Sequence, residues 1–126
     1  MKLGVAALAA GILASASAFA QTGRYQEIVD VCANSGDPTA TPEYCTCSAE
    51  KLVVLSDTDQ LLLVEFTKWM LATPEPTDSD VQALAVDLKS RAGLTTDEEY
   101  QQHMTTVGDA ATAADQACMK GPAPAQ

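Results

Sequence analysis

The chain has 126 residues, with seventeen Asp and Glu against seven Lys and Arg, a formal net charge of −10, four cysteines and one histidine. That length is one domain's worth of chain, and its charge excludes nucleic acid and anionic lipid as partners, because phosphate binding needs clustered Lys and Arg. A basic protein partner is electrostatically allowed, although an acidic surface also serves solubility alone.

Lys2, the apolar run from Leu3 to Leu13 and the small residues ending in Ala18-Phe19-Ala20 form the three-part pattern of a secretory signal peptide, with cleavage expected after Ala20. An uncleaved anchor is the competing reading, but a run rich in Ala, Gly and Ser is only weakly apolar and ends in a cleavage site. The mature form is therefore expected to have no membrane segment. The absence of a cysteine just after the cleavage site argues against a lipoprotein. The short, Ala-rich leader has a bacterial look, so the product is expected in the periplasm or, failing that, secreted. Residues 1–20 are read as the signal peptide and 21–126 as a single α-helical disulfide-bonded domain. In either oxidising compartment, Cys32, Cys45, Cys47 and Cys118 read as two disulfides before they read as a metal site.

Tyr25, Ile28, Val29 and Cys32 recur at helical spacing and predict a first helix from about Arg24 to Asn34, ended by Gly36 and Pro38. Thr41-Pro42-Glu43 is a cap, a first-turn proline and a dipole-compatible acid, so a second helix starts near Pro42 and carries Cys45 and Cys47. Its inner face runs through Ala49, Leu52 and Val53. Ser56 with Asp59 makes an acidic variant of the capping box for a third helix, from about Asp57 to Ala72. That helix is apolar on most of its circumference, through Leu61, Leu62, Leu63, Val64, Phe66, Trp69, Met70 and Leu71, and is predicted to be central to the core. Thr73-Pro74-Glu75-Pro76 stops it, and Thr77 caps a fourth helix with a stripe of Val81, Leu84, Ala85 and Leu88, closed by Gly93. Thr96 and Glu99 form another capping box, opening a fifth helix lined by Tyr100, Met104, Val107, Ala111, Ala114 and Cys118, in which Gly108 is a place to bend or split. Lys120 and Gly121 end it, and residues 121–126 are expected to be a frayed tail.

No stretch alternates with period two. The fold class is accordingly all-α, a small irregular bundle of about five short helices stapled by two disulfides. Four cysteines allow three connectivities. Cys45 and Cys47 lie about 200° apart around a helix, which disfavours joining them to each other and makes the second helix a hub tied to two neighbours. In a hairpin of the first two helices Cys32 and Cys45 stand at matched levels, so Cys32–Cys45 with Cys47–Cys118 is the predicted pairing. Cys32–Cys47 with Cys45–Cys118 needs only a small rotation of the second helix and stays open.

Few residues suggest chemistry. Cys45 and Cys47 could serve as a redox pair or as soft metal ligands completed by Cys32, Cys118 or His103. However, they lie past the first helical turn, and no βαβ pattern of a thioredoxin-like fold surrounds them. His103 reads as an ordinary surface or half-buried histidine. Asp57 with Asp59, and Asp78 with Asp80, resemble paired carboxylates, yet both pairs sit behind a Ser or Thr cap where acids favour the helix dipole without any ligand. Phe66 and Trp69 could line a ligand groove, but aromatics at helical spacing on the most apolar helix belong more naturally to a core. No phosphate loop, metal helix, nucleophile elbow or haem attachment motif is present. In general architecture the chain is similar to small bacterial periplasmic inhibitor and immunity proteins, a likeness that rests on no motif and carries no functional residue. The expectation is a non-enzymatic binding or protein-interaction module without catalytic residues, metal or cofactor. The alternative is a metal-binding or thiol-redox protein using the Cys45/Cys47 pair.

Overall fold

A computed structural model describes residues 23–120, and over them the chain forms five helices and no strand. The expected signal peptide, its cleavage site and the tail at 121–126 lie outside the described residues. Helix α1 (Tyr25–Ala33) buries Ile28 and Val31, with Tyr25, Val29 and Cys32 half-buried. The buried stripe is thus turned slightly from the one expected, towards Val31. No side chain of its own first turn caps α1; instead the Arg24 N–H donates to Gln60 Oε1 at 2.7 Å.

Helix α2 (Pro42–Leu52) is capped by Thr41, whose hydroxyl accepts from the Tyr44 N–H at 3.2 Å, and buries Cys45, Ser48, Ala49 and Leu52 at i, i+3, i+4 and i+7. Helix α3 (Asp57–Ala72) starts where Ser56 Oγ accepts from the Asp59 N–H at 3.1 Å. Helix α4 (Asp78–Ala92) opens with a complete capping box: Asp80 Oδ2 accepts from the Thr77 N–H at 3.0 Å, and Thr77 Oγ1 accepts from the Asp80 N–H at 3.1 Å. It closes at Gly93 with φ of 73°, a left-handed residue that brings the Leu94 N–H to the Lys89 carbonyl at 2.9 Å. Helix α5 (Asp97–Lys120) begins with Glu99 Oε1 accepting from the Thr95 and Thr96 N–H groups, both at 3.1 Å. Those donors, with both threonine hydroxyls, hold the Glu99 carboxyl below its ordinary range.

Three expectations are corrected. First, α5 is not short: its 24 residues run unbroken through Gly108 and span about 36 Å. Gly108 is exposed with open space around it, and a single glycine's penalty is outweighed by the packing of Tyr100, Val107, Ala114 and Cys118 along one face. Second, α3 shares the central role with α5. Leu62, Leu63 and Val64 are buried, but Met70 and Leu71 near its end are 50% and 43% exposed. Third, Val81 is 49% exposed, while Leu84 and Leu88 of the α4 stripe are buried in the core and Ala85 packs against it. The core joins all five helices, with α4 contributing Leu84 and Leu88 where it packs against α3 and α5.

Candidate functional site

Helix α2 is the hub the cysteine spacing implied. Cys45 faces α1 and is bridged to Cys32, with Cα atoms 5.6 Å apart; Cys47 faces the end of α5 and is bridged to Cys118, with Cα atoms 5.8 Å apart. The competing pattern is not adopted, because Cys45 lies on the buried stripe of α2 and Cys47 on its flank. Cys45 and Cys47 are therefore not a pair with each other, and neither sulfur is a free thiol for metal or redox chemistry in this state. Among the described residues, no three His, Cys, Asp or Glu side chains gather as a metal site.

Phe66 and Trp69 lie on one face of α3 with ring centroids 6.1 Å apart, half-buried and packed against the core. Neither lines the clefts described below.

Two polar residues of α3 do more than the sequence suggested. The Asp59 carboxylate, only 7% exposed, does not close the capping box; it crosses to α5 and meets His103 Nδ1 at 2.6 Å. Among the described residues no hydroxyl or thiol is hydrogen-bonded to His103, and the pair ties α3 to α5. Its signal was faint: an acid in a first turn and the only histidine, 44 residues apart. Gln60, beside Asp59, is almost fully buried and donates to the carbonyls of Val53 at 3.1 Å and Leu55 at 2.7 Å while accepting from Arg24.

A small, partly open space lies between α1, α2, α3 and α5. Ile28, Val31, Leu52, Leu63, Ala111 and Ala114 supply its apolar walls, and the space has a volume of about 180 Å³. Ser48 also lines it; its buried Oγ makes no hydrogen bond of regular geometry but lies close enough to the Tyr44 phenol to act on it. Tyr44 stands between this space and a larger, more enclosed cleft of about 470 Å³ bordered by Thr39, Thr41, Glu43, Cys47, Cys118 and Met119. The Tyr44 phenol donates to Asp115 Oδ1. Burial raises the Tyr44 pKa above its ordinary value, and Asp115 adds to this by accepting the phenolic proton; the Ser48 hydroxyl pulls partly the other way. Nothing in the sequence pattern marked Ser48, because a serine on a buried stripe resembles any small residue there.

A protein-family model described as chitinase A, N-terminal domain, matches residues 9–76. That stretch takes in α1, α2 and α3 with Cys32, Cys45 and Cys47, and ends before α4, α5 and Cys118. Neither the curated proteins nor the solved structures contain a match. The disulfides and the family match together support an extracellular or secreted protein, and no described helix is long and apolar enough to cross a membrane. Matched over more than half its length, the chain belongs to the chitinase A N-terminal domain family.

Proposed function

We propose that this protein is a non-enzymatic binding module of the bacterial periplasm that engages a basic protein partner through its acidic helical surface. One observation carries the reading: of the five described Lys and Arg side chains, all but Lys51 are already engaged by carboxylates. Arg24 pairs with Glu27 at 2.8 Å, and Lys68 approaches Glu27 and Glu65 at 3.8 and 3.7 Å. Arg91 pairs with Glu65 at 3.0 Å and Asp87 at 3.6 Å, and Lys89 pairs with Asp97. The large acidic excess is left facing solvent, where it steers cationic surfaces inward and repels anionic ones. The family description, an N-terminal domain of an enzyme, agrees with a module that binds rather than one that reacts.

The test is affinity capture from an exported-protein fraction, with elution by salt. A basic protein should be retained at about 0.15 M and released as the Debye length shrinks to about 3 Å near 1 M. Reversing two exposed acids of α2, Glu43→Lys with Glu50→Lys, should weaken retention. Retention on insoluble chitin, unaffected by salt and by those substitutions, would replace the basic partner with a polysaccharide. A thiol titration of protein isolated under oxidising conditions guards the other flank: two or more free thiols would favour the Cys45/Cys47 chemistry instead.

A further inference from the structure

We infer that the cleft between Tyr44 and the Cys47–Cys118 bridge is where a basic partner docks one Lys or Arg side chain, with its stem along the sulfur-lined wall and its cationic head at Glu43. The inference rests on the reading of the protein as a binding module for a basic partner, and it adds the place and the side chain. The cleft measures about 470 Å³, within the range of ordinary binding pockets, and is more enclosed than the space on the other side of Tyr44. Its wall is soft and apolar, built from the Tyr44 ring, the disulfide and the thioether of Met119, a half-exposed side chain that adapts its shape to what lies against it.

The polar groups around that wall select the head group. Thr39 Oγ1 donates to Asp37 Oδ1 at 2.8 Å, Thr41 Oγ1 accepts from the Tyr44 N–H at 3.2 Å, and the Tyr44 hydroxyl donates to Asp115. Among the described residues, no hydrogen bond or ion pair engages the Glu43 carboxylate, and no Lys or Arg borders the cleft. Asp37 and Asp115 both act on the Tyr44 phenol, so the field at the ring is negative. A cation is attracted over the ring face, where the aromatic quadrupole adds to the carboxylates, and Lys and Arg join such a head to an apolar stem. A carboxylate or phosphate is repelled by the same groups, and a sugar finds too few unspent partners for its hydroxyls. The adjoining hollow shares Glu43 and Cys47 and adds Glu50, which continues the acidic face beyond the cleft for the partner's other cations.

The experiment titrates the oxidised protein at low ionic strength with acetyl-Gly-Arg-Gly-amide and with its neutral analogue carrying citrulline in place of arginine. Methionine methyl NMR signals report the place: Met119 lines the cleft, whereas Met70 lies on α3 and Met104 is about 22 Å from Met119 along α5. The arginine peptide should shift Met119 saturably while Met70 and Met104 stay, and the citrulline peptide should bind at least about tenfold more weakly. Glu43→Gln and Tyr44→Leu should each weaken the arginine peptide about two- to fivefold. Tyr44→Phe, which keeps the ring, and Glu98→Gln, at the far end of α5, should leave it within about twofold. Because Glu43 is exposed, its variant stays informative should Tyr44→Leu lose stability. The proposal is overturned if no signal moves, or if Met70 and Met119 move together, which is diffuse attraction to an acidic surface. It is equally overturned if citrulline matches arginine, because the cleft then takes any apolar stem. Capture of exported basic proteins separates this proposal from the reading beneath it. A basic protein retained equally by the parent and by the double variant Glu43→Gln with Tyr44→Leu overturns the cleft and leaves the basic partner standing, whereas a parent that retains no basic protein overturns both.

Discussion

Gln60 sits on the most apolar helix with its side-chain amide in full use, and what it holds together lies far apart in sequence. It accepts from the N–H of Arg24, just before α1, and supplies donors to Val53 and Leu55 in the turn between α2 and α3. The approach is so close that Gly23 has no room for a side chain. A Cβ there would lie 2.3 Å from Gln60 Oε1, on a backbone whose φ of +71° already favours glycine. Ser48 is the contrasting case, a buried hydroxyl whose one neighbour, the Tyr44 phenol, is met without regular hydrogen-bond geometry, so two polar residues with similar burial have different standing in the fold. Replacing Gln60 with Met keeps the volume and removes every hydrogen bond. Leaving two carbonyls and an N–H short of partners should cost on the order of 2 to 4 kcal/mol. Urea denaturation of Gln60→Met against the parent measures this, and a loss below about 0.5 kcal/mol would mean that water reaches these groups and the amide is not the clamp.

At the scale of the helices, the punctuation was legible and the facing was not. Thr41-Pro42, Ser56, Thr77 and Thr96 with Glu99 are local signals, each completed within three or four residues, and each cap forms as its spacing implies. Which side of a helix is covered depends on partners elsewhere in the chain. Val81 and Met70 therefore carry the right residue type for a core and lie outside it, and Asp59 leaves its own capping box for His103. Phe66 and Trp69 fall between the two readings made of them, half-buried against the core without lining the space beside Ser48. Gly108 shows how far tertiary packing overrides a local preference, since α5 passes through it without a break. It also marks a place where the helix can be improved. A methyl group at Gly108 meets no other atom within 4 Å, and alanine lowers the entropy of the unfolded chain. Gly108→Ala should raise stability by about 0.5 to 1 kcal/mol, seen as a higher melting temperature with an unchanged urea m-value. A lower melting temperature would show that α5 bends there in solution.

For the molecule as a whole, the two bridges divide the work unequally. Cys32–Cys45 joins neighbours 13 residues apart in a hairpin that α1 and α2 already form by packing. Cys47–Cys118 spans 71 residues and pins the last turns of the longest helix to the hub. The loop between them contains α3, α4 and nearly all of α5. By chain entropy the longer bridge should stabilise by roughly 4.5 kcal/mol and the shorter by roughly 3 kcal/mol. Against net stabilities of about 5 to 15 kcal/mol, either is a large share for a domain of this size. Alanine is the right replacement, because serine at the fully buried Cys45 would add an unpaired hydroxyl to the core. Even alanine leaves a small void there, which works against the expected ranking and makes it a stricter test. The double variant Cys47→Ala with Cys118→Ala should therefore lose more stability in urea than Cys32→Ala with Cys45→Ala. Amide exchange should locate the difference: without the long bridge, protection should fall first in the α5 turns around Ala114 and Cys118, while Tyr100 and Val107 stay protected against α3. Should the short-bridge variant prove the weaker of the two, the packing of α5 against α2 would be holding that end in place without the covalent tie, and the long bridge would be reinforcement rather than support.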